Sequence, residues 1–519
     1  MPLPPTLRRA LVASCLAMCS TAPAKAADAP ELVPPIAPGP FSAQWDALRN
    51  YRCPEWFRDA KFGIWAHWGP QAVPEHGDWF ARLMYLQGED DYAYHLEHFG
   101  HPSQHGYREI PPLWRAEHFD PDRLMARYKA AGARYFVSMG VHHDNFDLWD
   151  SKYQPRWNAV AMGPKRDIVG LWKAAAARQG LRFGVSEHLG ASFSWYATAH
   201  GSDQTGPLAG VPYDGADPAY RDLYHDDGGA ASRTSGKWGV RPWYTEDRQW
   251  HQDWFNRISD LVDRYHPDLL YSDGGIPFGV VGRALVADFY NTNIAAHGGR
   301  LEAVYNLKDM QTGEFDAGVG VPDVERGGMD RIQPFVWQTD TSNGDWFYRR
   351  DDHYKTPDQV LKMLADIVSK NGNLLLNVVL KADGTPPPES DELLDELAAW
   401  MAINGEAIHD TRPWVVYGFG PTKMEGGHFK ENYAFGEDDV RFTRSKDGTK
   451  LYALCLGLPT KPVRIVPLGT HAGAQDFAVH AVRYLGETEP ARWSRQADAL
   501  VVEPLPAYRS RHVVVLRIE

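Results

Sequence analysis

Short runs of continuous apolar residues recur along the first four hundred positions, separated by longer stretches with helical spacing. Phe62-Gly63-Ile64-Trp65-Ala66-His67, Arg134 to Met139, Arg182 to Ser186, Asp268 to Ser272, Ala303 to Asn306 and Asn373 to Val378 are the clearest runs. Each is four to six residues of nearly unbroken hydrophobicity, as strands buried on both faces require. Between them, Pro121 to Ala131 reads as a helix with Asp120 as its N-cap. Gln249 to Tyr265 reads as another, and Thr356-Pro357-Asp358 opens a third that runs to Lys370. Strand-then-helix alternation over roughly 350 residues predicts a TIM-like (β/α)8 barrel with insertions. A doubly wound open sheet is the competing arrangement. It lacks support, because no Gly-rich phosphate-binding turn follows any of the runs.

After about Asn404 the period changes. Asp439 to Arg444, Lys450 to Leu456, Val463 to Pro467, Ala481 to Leu485, Ala499 to Glu503 and His512 to Ile518 are short, and many alternate apolar with polar residues. Asp447-Gly448 is a hairpin signal. These features predict a C-terminal antiparallel β-sandwich. The expected organisation is a signal peptide (1–26), a linker (27–41), a catalytic barrel (42–404) and the sandwich (405–519). Two long insertions interrupt the barrel. Residues 75–112 are rich in His, Tyr and acids. Residues 189–249 carry Trp195, Tyr196, Tyr213, Tyr220, Tyr224, Trp238, Trp243 and Tyr244. Loops of this length serve function or are disordered, and the aromatics argue against disorder.

Composition narrows the partners. A formal charge of −13 over 519 residues disfavours nucleic acid, whose phosphates demand clustered Lys and Arg. Aromatic residues make up 12%, with 19 Trp; their faces stack on the C–H faces of sugars. Arg8 and Arg9 precede an uncharged apolar stretch, and Ala24-Lys25-Ala26 fits a small-x-small cleavage site. Export to the periplasm or outside is therefore expected, with no later segment suited to spanning a membrane. Cys53 and Cys455 would remain in the mature chain, too far apart in sequence to suggest a disulfide framework.

In a barrel of this kind, chemistry gathers at the C-terminal ends of the strands. Those ends deliver His67, then His142-His143-Asp144, then Glu187 and His188, then Asp273, then Asn306 and Lys308. A metal site assembled from His67, His142, His143, His188 and Asp273 is one reading. Against it, adjacent strand residues point to opposite faces and no His-x-His pair stands at a strand end. No metal or other cofactor is expected. The other reading is a glycosidase, which needs two carboxyl groups, one to attack the anomeric carbon and one to protonate the leaving oxygen. Asp273 follows a rigid buried strand and precedes Gly274-Gly275, so it is the candidate nucleophile. Glu325 is the candidate acid/base, with Asp323, Glu314 and Glu187 as rivals.

At these residues a family resemblance is evident. Trp56-Phe57-Arg58-Asp59-Ala60-Lys61-Phe62-Gly63-Ile64-Trp65-Ala66-His67-Trp68-Gly69 resembles the opening motif of the α-L-fucosidases of glycoside hydrolase family 29. So do His142-His143-Asp144-Asn145-Phe146-Asp147-Leu148-Trp149-Asp150-Ser151-Lys152-Tyr153 and Gly163 to Gly170. Pro267-Asp268-Leu269-Leu270-Tyr271-Ser272-Asp273-Gly274 resembles the nucleophile motif, and Val368 to Val378 the last barrel strand. The resemblance spans about 45 to 400. It implies a barrel followed by a β-sandwich, and a retaining mechanism with Asp273 as nucleophile. It also implies that His67, His142 and His143 bind fucose hydroxyls and that the Trp79 region closes the pocket. The substrate implied is a fucosylated oligosaccharide or glycan. Trp65, Phe80 and Phe146 are candidates for an apolar wall against the fucose methyl group.

The chain departs from the family pattern in places. Asp78-Trp79 stands where many members have Glu-Trp, and Ser186-Glu187-His188 where many have a Tyr pair. Lys308 stands where Arg is common, and Trp337-Gln338-Thr339-Asp340-Thr341 replaces a Trp-Glu motif. Asp78, Trp79, Glu187, His188, Tyr271 and Lys308 complete the expected substrate-binding set. Two alternatives stay open: a same-fold glycosidase acting on a related sugar such as galactose, and a catalytically weak carbohydrate-binding protein. Oligomeric state is not legible in the sequence.

Overall fold

A strand enclosed on both faces has to be apolar throughout, and the six apolar runs do become barrel strands. The computed structural model describes residues 32–226, 240, 242–472 and 477–519. Eight parallel strands close in chain order: β1 (Phe62–Ala66), β2 (Tyr135–Val141), β3 (Arg182–Glu187), β4 (Leu269–Ser272), β5 (Val304–Lys308), β6 (Val321–Asp323), β7 (Trp337–Ser342) and β8 (Gly372–Asn377). β1 pairs with both β2 and β8, which closes the ring. The open-sheet alternative is thereby excluded.

Helices α1 (Pro121–Ala130), α2 (Ile168–Gln179), α3 (Arg248–Tyr265), α4 (Val280–Ala296), α5 (Pro357–Ser369) and α6 (Pro388–Asn404) wrap the barrel. The expected caps form. The Asp120 carboxylate accepts from the Arg123 N–H at 3.0 Å, and Thr356 with Gln359 makes a reciprocal capping box on α5. In α3, Trp250, Trp254, Ile258, Leu261 and Tyr265 recur at helical spacing and are buried. Each such side chain contributes about 1.5–3 kcal/mol. The alternation breaks in one region: no helix lies between β5 and β6 or between β6 and β7, although all of 309–336 is described. The loops there carry Glu325.

The C-terminal region forms the two antiparallel sheets expected of a sandwich, one of six strands and one of three. Alternation sets their roles. Leu451, Ala453 and Cys455 pack with Val463, Ile465, Leu500 and Val502 of the smaller sheet. Tyr452 and Leu454, on the opposite face, join the hydrophobic core of the barrel. The larger sheet is therefore buried on both sides. Cys53 and Cys455 are both free thiols.

The expected signal peptide and residues 27–31 lie outside the described residues. The rest of the expected linker is held against the barrel wall: the Ala37 N–H donates to Asp288 at 2.7 Å and the Phe41 N–H to Asn291 at 3.0 Å, both on α4. The two long insertions clamp each other. Tyr85 and Tyr224 donate to Asp214, at 2.7 and 2.8 Å. Tyr92 and Tyr213 donate to Asp203, at 2.8 and 2.6 Å. Trp195, Tyr196, Tyr213 and Tyr224 are buried by this packing. Trp238 lies outside the described residues. No helix among the described residues is long and apolar enough to cross a membrane.

Candidate active site

The strand ends converge on a cavity of about 520 Å³, lined by His67, Asp78, Trp79, His142, His143, His188, Tyr271, Asp273, Lys308 and Glu325. A larger cleft, about 1120 Å³, lies against Arg134 and Leu181, at the N-terminal ends of β2 and β3. Barrel enzymes carry their chemistry at the opposite, C-terminal end, so the smaller cavity is the candidate site. Asp273 sits immediately after β4. Gly274 beside it has φ +124°, and a β-carbon there would lie 2.6 Å from Thr312 Oγ1 and 2.7 Å from the Tyr244 hydroxyl. Only glycine fits this turn.

Lys308, at the end of β5, organises the carboxylates. Its buried Nζ lies 3.1 Å from Asp273, 2.6 Å from Glu325 and 3.3 Å from Asp340. One ammonium thus bridges Asp273 and Glu325. The bridged oxygens can be no further apart than those first two distances laid end to end. Two carboxyl groups held on one ammonium are close enough to act on opposite ends of one bond.

The two carboxyl groups are pushed in opposite directions. Burial would raise Asp273, but Lys308, then His143 and His188, overcome it and hold the carboxyl well below the usual range. Burial carries Glu325 up to about 7; Lys308 opposes the rise, while Asp340 and Asp273 add to it. One group stays ionised and the other holds a proton near neutrality, the division that acid-assisted displacement needs. Burial would also discharge Lys308, yet Asp340 and Glu325 hold it well above the usual lysine range. Beneath it, burial and Asp340 raise Asp323, so Asp323 keeps a proton and shares it with Asp340.

Four histidines form the opposite wall. Burial lowers His67 and His142 well below the ordinary imidazole value and takes His188 down to about 3. These three rings are neutral. Nitrogens of the three lie within 4.8 Å of one another, a cluster with metal-ligand character. Gln71 decides against that use. Its Oε1 accepts from the Ala81 N–H at 3.4 Å, which turns its amide N–H toward His142 Nδ1 at 2.7 Å. His142 Nδ1 is therefore an acceptor, and the ring's own proton sits on Nε2, where a metal would need a lone pair. A donor there suits a hydroxyl. Nδ1 of His67 and of His188 have no protein partner among the described residues, and the His143 Nδ1–H donates to the His188 carbonyl at 2.6 Å. Gln71→Leu is expected to free the His142 ring and raise KM about tenfold, the worth of roughly one oriented hydrogen bond. Steady-state kinetics on an aryl glycoside of the sugar the site accepts checks this.

Most of the expected residues reach the cavity, but some do not. Glu187 is buried behind it, its carboxylate accepting from Ser272 at 2.7 Å, Trp254 at 3.1 Å and the Leu189 N–H at 3.0 Å. It braces β3 against β4, so the expectation that it binds substrate or rivals Glu325 as the acid is corrected: its carboxylate is already committed. Glu314 is paired with Arg283 and Asp323 accepts from Gln338 at 2.6 Å, so both rivals of Glu325 are occupied elsewhere. Of the expected apolar wall only Trp65 lines the cavity; Phe80 and Phe146 are enclosed in the core. Of the insertion aromatics, Trp243 reaches the cavity wall. Tyr271 lines the cavity while its hydroxyl donates to Asp340 at 3.0 Å.

Sequence reasoning missed Gln71, Asp340, His428 and Phe429. Asp340 had a signal, as a carboxylate inside the altered Trp337 motif. His428 and Phe429 had none, because they come from a segment after the last barrel helix, about a hundred residues from Glu325 in sequence. His428 Nδ1 accepts from the Glu325 N–H at 3.0 Å, and the Phe429 N–H donates to the Glu325 carbonyl at 2.8 Å.

A family model for α-L-fucosidase matches residues 31–406. The chain belongs to the α-L-fucosidase family. As a member, it is a glycoside hydrolase. The tissue α-L-fucosidase of Rattus norvegicus is 28% identical over 407 residues, covering 73% of this chain and 75% of the relative. The human plasma α-L-fucosidase is 27% identical over 490 residues, covering 89% and 88%. A crystal structure of the Thermotoga maritima α-fucosidase with a mechanism-based inhibitor superposes with TM-score 0.70 at 25% identity, covering 92% of this chain and 99% of that one. A second structure of the Thermotoga enzyme, in complex with fucose, gives 0.68 at 26% identity.

Proposed function

We propose that this α-L-fucosidase family member is an exo-acting, retaining hydrolase that removes terminal α-linked L-fucose from oligosaccharides or glycans. The observation that carries the reading is the Lys308 bridge: it joins an ionised Asp273 to a protonated Glu325 within one cavity. In the first step an Asp273 oxygen attacks C1 and the C1–O bond to the leaving group breaks. Glu325 gives its proton to the departing oxygen. In the second step Glu325, now ionised, takes a proton from water as that water attacks C1 and releases Asp273. Covalent attachment neutralises Asp273, and loss of that neighbouring negative charge lowers the proton affinity of Glu325 at the moment it turns from acid to base. His67, His142 and His143 hold the sugar hydroxyls, with Asp78, Trp79, His188, Tyr271 and Lys308 completing the pocket. Export of the chain, with 1–26 as signal and a division near 404/405, belongs to the same reading; plasma α-L-fucosidases are among its relatives.

The pH dependence tests the acid/base assignment. Glu325 must be protonated for the first step. For a substrate with a poor leaving group, kcat/KM is therefore expected to be high below pH 7 and to fall as pH rises through about 7. Glu325→Ala should abolish that limb, spare activated aryl fucosides, and yield α-fucosyl azide when azide is added. A basic limb that persists in Glu325→Ala would return the role to another carboxylate. Aryl galactoside, run beside aryl fucoside, separates the galactose alternative, which gains no support from Glu187 now that its carboxylate is committed to β3 and β4.

A further inference from the structure

An exposed phenylalanine is ordinary on a protein surface. Phe429 is not ordinary in its placement. It lines the catalytic cavity and is 55% exposed. Its backbone sits at φ 57°, a left-handed conformation unfavourable for a bulky side chain. Three hydrogen bonds fix it there. Its own N–H donates to the Glu325 carbonyl at 2.8 Å and the Gly427 N–H donates to the Gly328 carbonyl at 2.9 Å. The Glu325 N–H donates to His428 Nδ1 at 3.0 Å. The segment therefore grips the backbone of the acid and presents an uncovered aromatic face beside it.

That position has a chemical meaning. The leaving oxygen has to lie within hydrogen-bonding reach of Glu325, so whatever is attached to it leaves the cavity past the residues around Glu325. We propose that Phe429 is the platform of a leaving-group subsite that accepts a pyranose, stacking against the sugar's apolar C–H face. This rests on the assignment of Glu325 as the acid and deepens it, by naming the class of leaving group. Next to Glu325, Arg326 is held by Glu431 at 3.2 Å and lies over Trp346 at 4.7 Å. It supplies the polar edge that a sugar's hydroxyls need beside an aromatic face.

The test compares two substrates in one preparation. The leaving group of α-L-fucosyl fluoride has no ring to stack; that of a fucosyl disaccharide linked to galactose or N-acetylglucosamine does. In Phe429→Ala, kcat/KM for the disaccharide is expected to fall about tenfold relative to that for the fluoride, chiefly through KM. Phe429→Tyr should restore the ratio. Because the ratio is internal, partial misfolding does not mimic the result. A ratio that stays at the wild-type value, or that Phe429→Tyr fails to restore, overturns the subsite. A fall driven by kcat with a displaced basic limb of the pH profile also overturns it, since that marks a mispositioned Glu325. A wild-type enzyme that releases no fluoride would instead remove the fucosidase reading on which the subsite rests.

Discussion

Asp273→Asn is expected to lose on the order of 10⁴-fold or more in kcat on an aryl α-L-fucoside while still binding fucose. The amide cannot attack C1, yet it keeps the shape of the carboxylate between Lys308 and His143, which lie at 3.1 and 3.4 Å. Azide gives the loss a stereochemical signature. In the smaller Asp273→Gly variant it can enter from the nucleophile's face and form β-fucosyl azide. The Glu325→Ala variant forms the α-azide, because there azide attacks the covalent intermediate from the other side. Product anomers read by NMR thus assign both residues independently. If Asp273→Asn retained full activity, the nucleophile would have to be sought elsewhere.

Lys308→Ala should be the most damaging change outside Asp273 and Glu325, the two proposed catalytic carboxyl groups. It leaves Asp273, Asp340 and Glu325 buried with no ammonium between them. Breaking a buried ion pair from one side costs about 3–5 kcal/mol, measurable by urea denaturation. The pH dependence of that deficit follows from sign. With Lys308, Asp273 is held low, so it stabilises the fold at neutral pH and stops doing so as pH falls through its folded value. Without Lys308, burial and mutual repulsion place the carboxyl groups above their unfolded values. Their contribution is then lost as pH rises, and the deficit should be larger at pH 7 than at pH 4. Activity should drop roughly 10²–10³-fold, the usual worth of one electrostatic partner in a site. Lys308→Arg keeps the charge and should recover part of both losses. A deficit that grew towards pH 4 would contradict the assigned role of Lys308.

Hydrophobic patterning found six of the eight barrel strands because those six are apolar. It overlooked β6, which is three residues long and contains Pro322. It overlooked β7 for a different reason. Trp337-Gln338-Thr339-Asp340-Thr341-Ser342 is polar in sequence yet wholly buried. Its polar groups are satisfied inside: Gln338 donates to Asp323 at 2.6 Å and accepts from Tyr135 at 2.9 Å, and Thr341 donates to Glu431 at 2.6 Å. A periodicity argument equates burial with apolarity, and a strand like this defeats it. The site divides the same way. His67, His142, His143, His188, Asp273 and Lys308 were legible because each ends or follows a recognisable strand. Glu187 met the same criterion and was misassigned, since position along a strand end does not reveal which way a side chain turns. Gln71 was invisible because its function is to fix another residue's tautomer.

The missing helices after β5 and β6 have a consequence for how this architecture can be taken apart. The strands that deliver His67, His142, His188 and Asp273 are each followed by a barrel helix. The Glu325 turn has none, and its support is borrowed from 427–429, about a hundred residues downstream and after the last barrel helix. The setting of Glu325, the proposed proton donor, is therefore the joint property of two regions that look like separate modules in the sequence. A transplant of the barrel alone, or an exchange of C-terminal regions between relatives, would carry Asp273 intact and leave Glu325 without its splint. The unit that recombination or design can move is the barrel together with that segment.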